Sequence, residues 1–559
     1  MAKLGFDMQD DAVYCVPLGG CGVFGANMTL YGHRGQWIMV DCGMGFADET
    51  MPGIDILLPD PTFAQSLGDS LLGIVLTHAH EDHIGAIGHL WPRLKAPLYA
   101  TKFTSTRIRQ SLGEYPWGGQ AKLHELPPKA RFDLGPFSIQ YVRMAHSIPE
   151  ASSLAITVDG VGTMLHTGDW KIDADPVVGD LTDEEELKKL GEAGVLAVIG
   201  DSTNAMVPGH SGSERMVQNN LIELFGEFEG QIAISCFSTN VARLRSIYEA
   251  AQRNKRHVCL VGRSLWNIDE AARLSGYLED IPPFLDRDDA NKMHGKDIIY
   301  VCTGSQGEPR AALSRIANDD YKGVRLVAGD VVIFSSRAIP GNERAIDRIK
   351  NNLHARGIGV ITDRDAPVHV SGHPYREELK QIYSWLKPKA VIPVHGENMQ
   401  LEKHAQLAKE CGVEGTVIPA NGMVIELTKE GLYVAGEVHS GILAIEGKRI
   451  VAVDHEAILT RRRMMYNGSA VVTVVVDRKG NLVAEPKITA LGVLDENSDL
   501  DAEHLREVTD AVSMAVKNMK KSEREDDDAL SELIRVTARR YFNATFDRKP
   551  QTRVHLVRV

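Results

Sequence analysis

Short apolar runs rich in valine and isoleucine alternate along this chain with longer stretches of helical periodicity. That alternation predicts α/β layering. Many of the predicted strands stop on a polar or glycine-rich turn. Trp37-Ile38-Met39-Val40 stops at Asp41, Gly162-Thr163-Met164-Leu165 leads to Asp169, Val195–Gly200 stops at Asp201, and Ala390–Val394 stops at His395. In α/β proteins ligands gather at the carboxyl ends of strands. Strand ends so far apart in the chain that share one chemistry point to one site rather than several.

A second α/β series runs from about Gln231 to Thr362, with strands at Ile232–Ser235, Val258–Val261, Ile298–Val301 and Val331–Phe334. Histidines of the kind found at the strand ends resume only after it, at His369, His373 and His395. The expected organisation is one domain over residues 1–208 and 363–430, interrupted by an inserted domain over 209–362. A β-rich linker over 431–452 then leads to a C-terminal domain over 453–559. There the pattern predicts a strand at Ala470–Val476 and helices around Ala502–Met519 and Asp528–Phe542.

The densest chemistry lies directly after the apolar run Leu72–Leu76, in His78-Ala79-His80-Glu81-Asp82-His83. A buried strand that ends in so many imidazoles and carboxylates is costly unless something binds there. Mixed nitrogen and oxygen donors suit zinc or manganese rather than a thiolate-selected metal. His78 and His80 can face one ion, and Asp82 and His83 a second. His146 adds to the first site, Asp169 in Thr167-Gly168-Asp169-Trp170 can bridge both, and His395 completes the second. Two such ions ~3.5–4 Å apart would activate water and clamp the oxygens of a phosphate. Asp41 is best placed to orient a ligand histidine.

Bulk properties bound this reading without setting it. The chain has 559 residues, too many for one core. No apolar run approaches the ~20 residues needed to span a bilayer, and Met1–Asp7 has no signal-peptide apolar region. The seven cysteines are scattered singly, which reads as reduced thiols in a cytoplasmic protein. The net charge of −13 lacks the basic footprint of a typical nucleic-acid binder. Much of that acidity is local, however, in Asp495–Asp510 and Glu523–Asp528, and a net charge does not exclude a basic groove.

The ordered set of Asp41, His78–His83, His146, Asp169, Asp201, His373 and His395 resembles the metallo-β-lactamase superfamily and, within it, the β-CASP nucleases. A histidine at the last motif, here His395, resembles the RNA-directed branch; DNA-directed members carry valine there. Gly304–Pro309, Ile339–Glu343 and His369-Val370-Ser371-Gly372-His373 extend the resemblance to the bacterial ribonuclease J family over nearly the full length. The resemblance implies a metallo-β-lactamase αββα sandwich with an inserted β-CASP α/β domain and a small C-terminal α+β domain. It implies a ribonuclease with 5′→3′ exonuclease activity favouring 5′-monophosphate ends, together with endonuclease activity. Two divalent ions per subunit are implied, zinc first and manganese as the alternative. So are single-stranded RNA as partner, a homodimer or homotetramer built through the C-terminal domain, and a place in an RNA-degradation complex. His369, Val370, Ser371, Gly372 and His373 would form a phosphate cradle with Ser238 approaching from the inserted domain. His373 is also placed to donate a proton to the leaving 3′ oxygen, a role histidine fills near neutral pH. Asp201, at the end of its strand, is expected to orient the metals or their ligands, or to act as a catalytic carboxylate.

Other readings compete. The same metal chemistry could serve a small ester, thioester or lactam, which needs no roof such as the inserted domain. A DNA nuclease conflicts with His395, and a silent RNA-binding scaffold conflicts with the complete ligand set. Plain structural roles are expected for His89, His166 and buried Cys236. Solvated surface is expected for Arg461-Arg462-Arg463, and an exposed linker or helix start for Glu523–Asp528.

Overall fold

A computed structural model describes residues 6–339, 341–495 and 497–559. Pro340 of the Ile339–Glu343 string and the first five residues lie outside the described residues. The chain divides into two compact units, one holding the residues up to Phe46 with Ile56–Ile442, the other Ala47–Asp55 with Leu443–Val559.

The first unit is built on two large mixed sheets. One is eight-stranded, in the order Leu432–Glu437, Met423–Leu427, Val13–Gly19, Met28–His33, Gln36–Val40, Leu71–Val75, Leu98–Thr101 and Leu123–Leu126. The other is seven-stranded, in the order Gly415–Thr416, Ala390–Val394, Val195–Asp201, Gly162–His166, Ser152–Val158, Phe137–Arg143 and Arg131–Leu134. Their facing side chains form one core, in which Tyr31, Ile38 and Val75 from one sheet meet Tyr141, Ile156 and Ile199 from the other. The outer face of the seven-stranded sheet is covered by three helices, through Leu187, through Ile382 and Tyr383, and through Leu407. On the outer side of the eight-stranded sheet Phe63 packs edge-on against Trp37 at 5.7 Å. Helix, sheet, sheet and helix are thus the layers, the sandwich that the resemblance implied. The strands are near-continuous apolar runs because both of their faces are buried.

Where the chain leaves this sandwich and returns is set by two neighbouring strands. Val195–Asp201 and Ala390–Val394 pair in parallel, with Asp201 opposite Val394. Between them lies a five-stranded, all-parallel sheet in the order His257–Val261, Ile298–Cys302, Ile232–Ser235, Val331–Phe334 and Gly359–Ile361. Its helices start where local chemistry starts them: Ser213 accepts from Arg215 N, and Asn240 accepts from Arg243 N. The region read as a β-rich linker begins with Leu432–Glu437, which is an edge strand paired with Met423–Leu427.

The second unit is α+β. Ser469–Val476 pairs with Lys487–Thr489 on one side and in parallel with Gln551–Arg558 on the other. Helices Asp499–Asn518 and Asp527–Phe546 cover one face, burying Val508, Val512, Leu530, Ile534 and Phe542 against Val472 and Val474. Asp526 of the acidic run caps the second helix by accepting from Asp528 N and Ala529 N. Arg461 bonds Pro52 O and Glu446, and Arg463 bonds Glu456.

Candidate metal centre

His78, His80, Asp82 and His83 follow the strand Leu71–Val75 and open the short helix Glu81–Ile84. Asp169 follows Gly162–His166, and His395 follows Ala390–Val394. Leu71–Val75 belongs to the eight-stranded sheet and the other two strands to the seven-stranded sheet, where only Val195–Asp201 separates them, and their carboxyl ends deliver the side chains to one place. Two four-residue groups result: His78, His80, His146 and Asp169, and Asp82, His83, Asp169 and His395. Each offers donor atoms within 4.8 Å of one another, and Asp169 belongs to both. A third group joins Asp169 and His395 to Asp201 and His373.

The outer partners of the imidazoles fix which nitrogen faces inward. His83 Nδ1 donates to Asp41 Oδ2 at 2.6 Å, leaving Nε2 at 3.2 Å from Asp169. Thr77 Oγ1 donates to the Asp41 carboxylate, so it accepts from His78 Nδ1 at 3.0 Å and turns His78 Nε2 inward. His146 Nδ1 donates to Gly372 O at 2.5 Å. Asp41 therefore sets the tautomers of two histidines, one directly and one through Thr77. It holds a left-handed backbone, φ +61°, as does His395 at +55°. Such non-glycine outliers persist where the surroundings over-determine them.

These residues fit divalent ions. His80 Nδ1 lies 3.0 Å from both His78 Nε2 and His146 Nε2. His78 Nε2 and His146 Nε2 both present lone pairs there, and His80 Nδ1 can carry only one proton between the two of them, a donor set that a divalent ion would satisfy together. Asp169 Oδ1 and His395 Nδ1 are buried and without a hydrogen-bond partner among the described residues. Electrostatics agree. Burial disfavours the cation at His78 and His146 and keeps both well below the ordinary imidazole value. It takes His80 down to about 4. At His83 burial opposes the charge, but Asp169, Asp82 and Asp41 outweigh it and hold the imidazolium well above its usual range. The carboxylates thus hold a proton on His83 where a metal would supply the charge.

The second constellation is held against the first. His373 Nδ1 donates to Asp201 Oδ2 at 2.8 Å. Burial opposes its charge, yet Asp201 and then Asp169 raise it to about 9. Asp201 Oδ1 accepts from Thr203 N and Oγ1, so the carboxylate is locked in place. Ser371 Oγ accepts from Asn204 Nδ2 at 2.9 Å and from His373 N at 3.1 Å, which leaves its own proton to donate. Gly372 approaches so closely that a Cβ there would lie 2.8 Å from His146 Cε1. Burial, then Arg243, Arg337 and Lys171, push His369 well down, and its Nδ1 lacks a partner among the described residues. Val370 is buried.

Ser238 lies at the carboxyl end of Ile232–Ser235, in the turn before Asn240, and its hydroxyl makes no hydrogen bond among the described residues. Among the described residues no hydrogen bond joins it to the His369–His373 string. What ties the inserted sheet to that string is Arg243, fully buried, which bonds Glu214, Ser335 and Val368 O. His166 bonds Tyr31 OH and His89 bonds Tyr115 OH. Cys236 is buried and free. Sequence reasoning missed Thr77, Asn204 and Asn27, whose Nδ2 donates to Asp82 O at 3.0 Å. Thr77 precedes the motif directly, which was its one available signal.

Comparison with known proteins places the chain in a family. Family descriptions match in chain order: metallo-beta-lactamase superfamily over 21–210, ribonuclease J beta-CASP domain over 229–353, Zn-dependent metallo-hydrolase RNA specificity domain over 364–419, and ribonuclease J C-terminal domain over 456–559. Ribonuclease J of Sinorhizobium meliloti is 40% identical over 564 residues, covering 100% of both chains. Ribonuclease J of Thermus thermophilus is 33% identical, covering 93% of this chain and 91% of its own. A crystal structure of a protein of unknown function from Enterococcus faecalis superposes with a TM-score of 0.54 at 18% identity, over 74% of this chain and 100% of its own, a likeness of fold. With its metallo-β-lactamase domain, inserted β-CASP domain and C-terminal domain, the chain belongs to the ribonuclease J family.

Proposed function

We propose that the protein is a metal-dependent ribonuclease that hydrolyses RNA phosphodiesters 5′→3′ from 5′-monophosphate ends and also cuts internally. The observation that carries this reading is the join between the two constellations, where His146 Nδ1 bonds Gly372 O and His373 bonds Asp201 beside Asp169. A small ester would need no such second wall. Zinc is the favoured ion, with manganese compatible with the same donors.

His78, His80 and His146 with Asp169, and Asp82, His83 and His395 with Asp169, would hold the two ions. Such a pair supplies an activated water and charge neutralisation at the phosphate. Ser371 Oγ–H donates to a phosphate oxygen, and His369, uncharged, binds by hydrogen bond rather than by charge. His373, kept protonated by Asp201, gives its proton to the leaving 3′ oxygen. Val370 and Gly372 shape the cradle, and Ser238 approaches it from the inserted domain. Asp41 acts through His83 and Thr77 as a positioning residue.

In the cell the reading implies a cytoplasmic enzyme of RNA decay and processing, in a degradation complex. It also implies a homodimer or homotetramer, which light scattering checks: a monomer at working concentration counts against it. Among the described residues no helix is long and apolar enough to cross a membrane. The deciding assay offers 5′-monophosphate RNA, 5′-triphosphate RNA and matched DNA to protein loaded with zinc or manganese. Mononucleotides are expected from the first, little from the second, and none from DNA. Asp82→Ala with His83→Ala is expected to abolish release while circular dichroism stays unchanged. Persistent activity in that variant rules out the site.

A further inference from the structure

The loop that carries His146 is held from two sides. On one side His146 meets Gly372. On the other, Glu150 sits in a left-handed conformation, φ +62°, that a glutamate avoids unless its surroundings demand it. Its Oε2 accepts from Phe103 N at 2.7 Å, at the start of helix Lys102–Leu112. Its Oε1 accepts from Tyr277 OH at 3.1 Å. Tyr277 belongs to the inserted domain, just after helix Arg263–Leu274, and its ring stands edge-on to Phe103 at 6.2 Å. Burial, then the neighbouring carboxylate, holds the phenol protonated, so it acts as a donor.

The loop's other bonds lead straight to the metal centre. Ser152 Oγ donates to Glu150 O at 3.1 Å, and Ser152 N donates to Thr77 O at 3.2 Å, beside His78. A second tie joins the same two helices: Gln110 Nε2 donates to Glu270 Oε2 at 2.7 Å and to Asn267 O at 3.1 Å.

We infer that Tyr277 and Glu150 are positioning residues that clasp the inserted domain to the His146 loop, so that RNA held by the inserted domain meets the metal centre in register. The inference rests on the ribonuclease reading above. The clasp touches neither the proposed ligands nor the phosphate cradle. Its effect should therefore appear only with substrates long enough to engage both domains.

The test compares Tyr277→Phe with the unaltered protein, both loaded with manganese. One substrate is a 5′-monophosphate RNA, the other bis(4-nitrophenyl) phosphate, a small diester that needs the metal centre alone. The expected result is a roughly tenfold lower kcat/KM on RNA, the scale of one hydrogen bond to a carboxylate. The small diester should be hydrolysed within about twofold of the unaltered rate, because no hydrogen bond at the metal centre is lost. Adding Glu150→Gln to Tyr277→Phe should bring little further loss, because both act on one contact. An unchanged RNA rate, or equal loss on both substrates, overturns the clasp. Should Tyr277→Phe melt early, Gln110→Ala must show the same RNA-selective loss, and its absence counts equally against the inference. If the unaltered protein cleaves neither substrate, the ribonuclease reading fails. If it is active and the variants match it, the clasp alone fails.

Discussion

At the scale of the residue, Asp41 does the most with one side chain. It orients His83 directly and His78 through the Thr77 hydroxyl. Asp41→Asn is therefore expected to weaken metal binding by about 10–100-fold, and Thr77→Val to weaken it less. Competition with a chelator of known affinity measures both. The pH dependence has a definite sign. In the metal-free protein the carboxylates keep His83 protonated, with its pKa raised. A ligand imidazole must be neutral, so metal competes with protons. Affinity should rise with pH through the neutral range and loading should release protons. Titration calorimetry in buffers of different ionisation enthalpy reads this, and a flat profile would contradict it. The His78–His83 cluster was legible because its spacing is local. Thr77 was not, because its role exists only when Asp41 arrives from the neighbouring strand.

At the scale of the element, the buried pair Glu214–Arg243 joins the inserted sheet to the segment leading into His369. Removing one partner leaves the other charge buried and unpaired. Arg243→Met alone should thus cost about 3–5 kcal/mol, and Arg243→Met with Glu214→Leu considerably less. Denaturant melts of the three proteins check the order. The strands Ile232–Ser235 and Val331–Phe334 were readable to the residue because both faces of a parallel strand are apolar. Leu432–Glu437 read as linker because it is an edge strand that leaves Tyr433 and Val434 exposed, so its pattern carries little burial signal. The short segment Ala47–Asp55, grouped with the second unit, had no pattern to betray it, since that grouping is made entirely in three dimensions.

At the scale of the whole molecule, a net charge of −13 faces a polyanionic substrate. Affinity for single-stranded RNA then has to come from a few local phosphate contacts. Each such contact contributes a slope of about −0.7 to log K against log salt. An overall slope of about −1 to −3 is expected on that scale. A much steeper one would reveal a long basic track. The family was legible from the order of motifs along the chain, whereas the grip between its domains was not. Arg243, Glu150 and Tyr277 are ordinary residues until the fold brings them together.

The pairing of Ala390–Val394 beside Val195–Asp201 also sets a timetable. A chain is synthesised from its N-terminal end at about 5–20 residues per second, and its domains fold in that order. His78, His80, His146 and Asp169 are all outside while the whole inserted domain is still being made. His395, needed for the second ion site, follows only after a delay of roughly 10–40 s at that rate. A ribosome-bound chain halted before Ala390 is expected to take up at most one ion and to leave RNA intact. The nuclease would then be silent toward the message from which it is being translated.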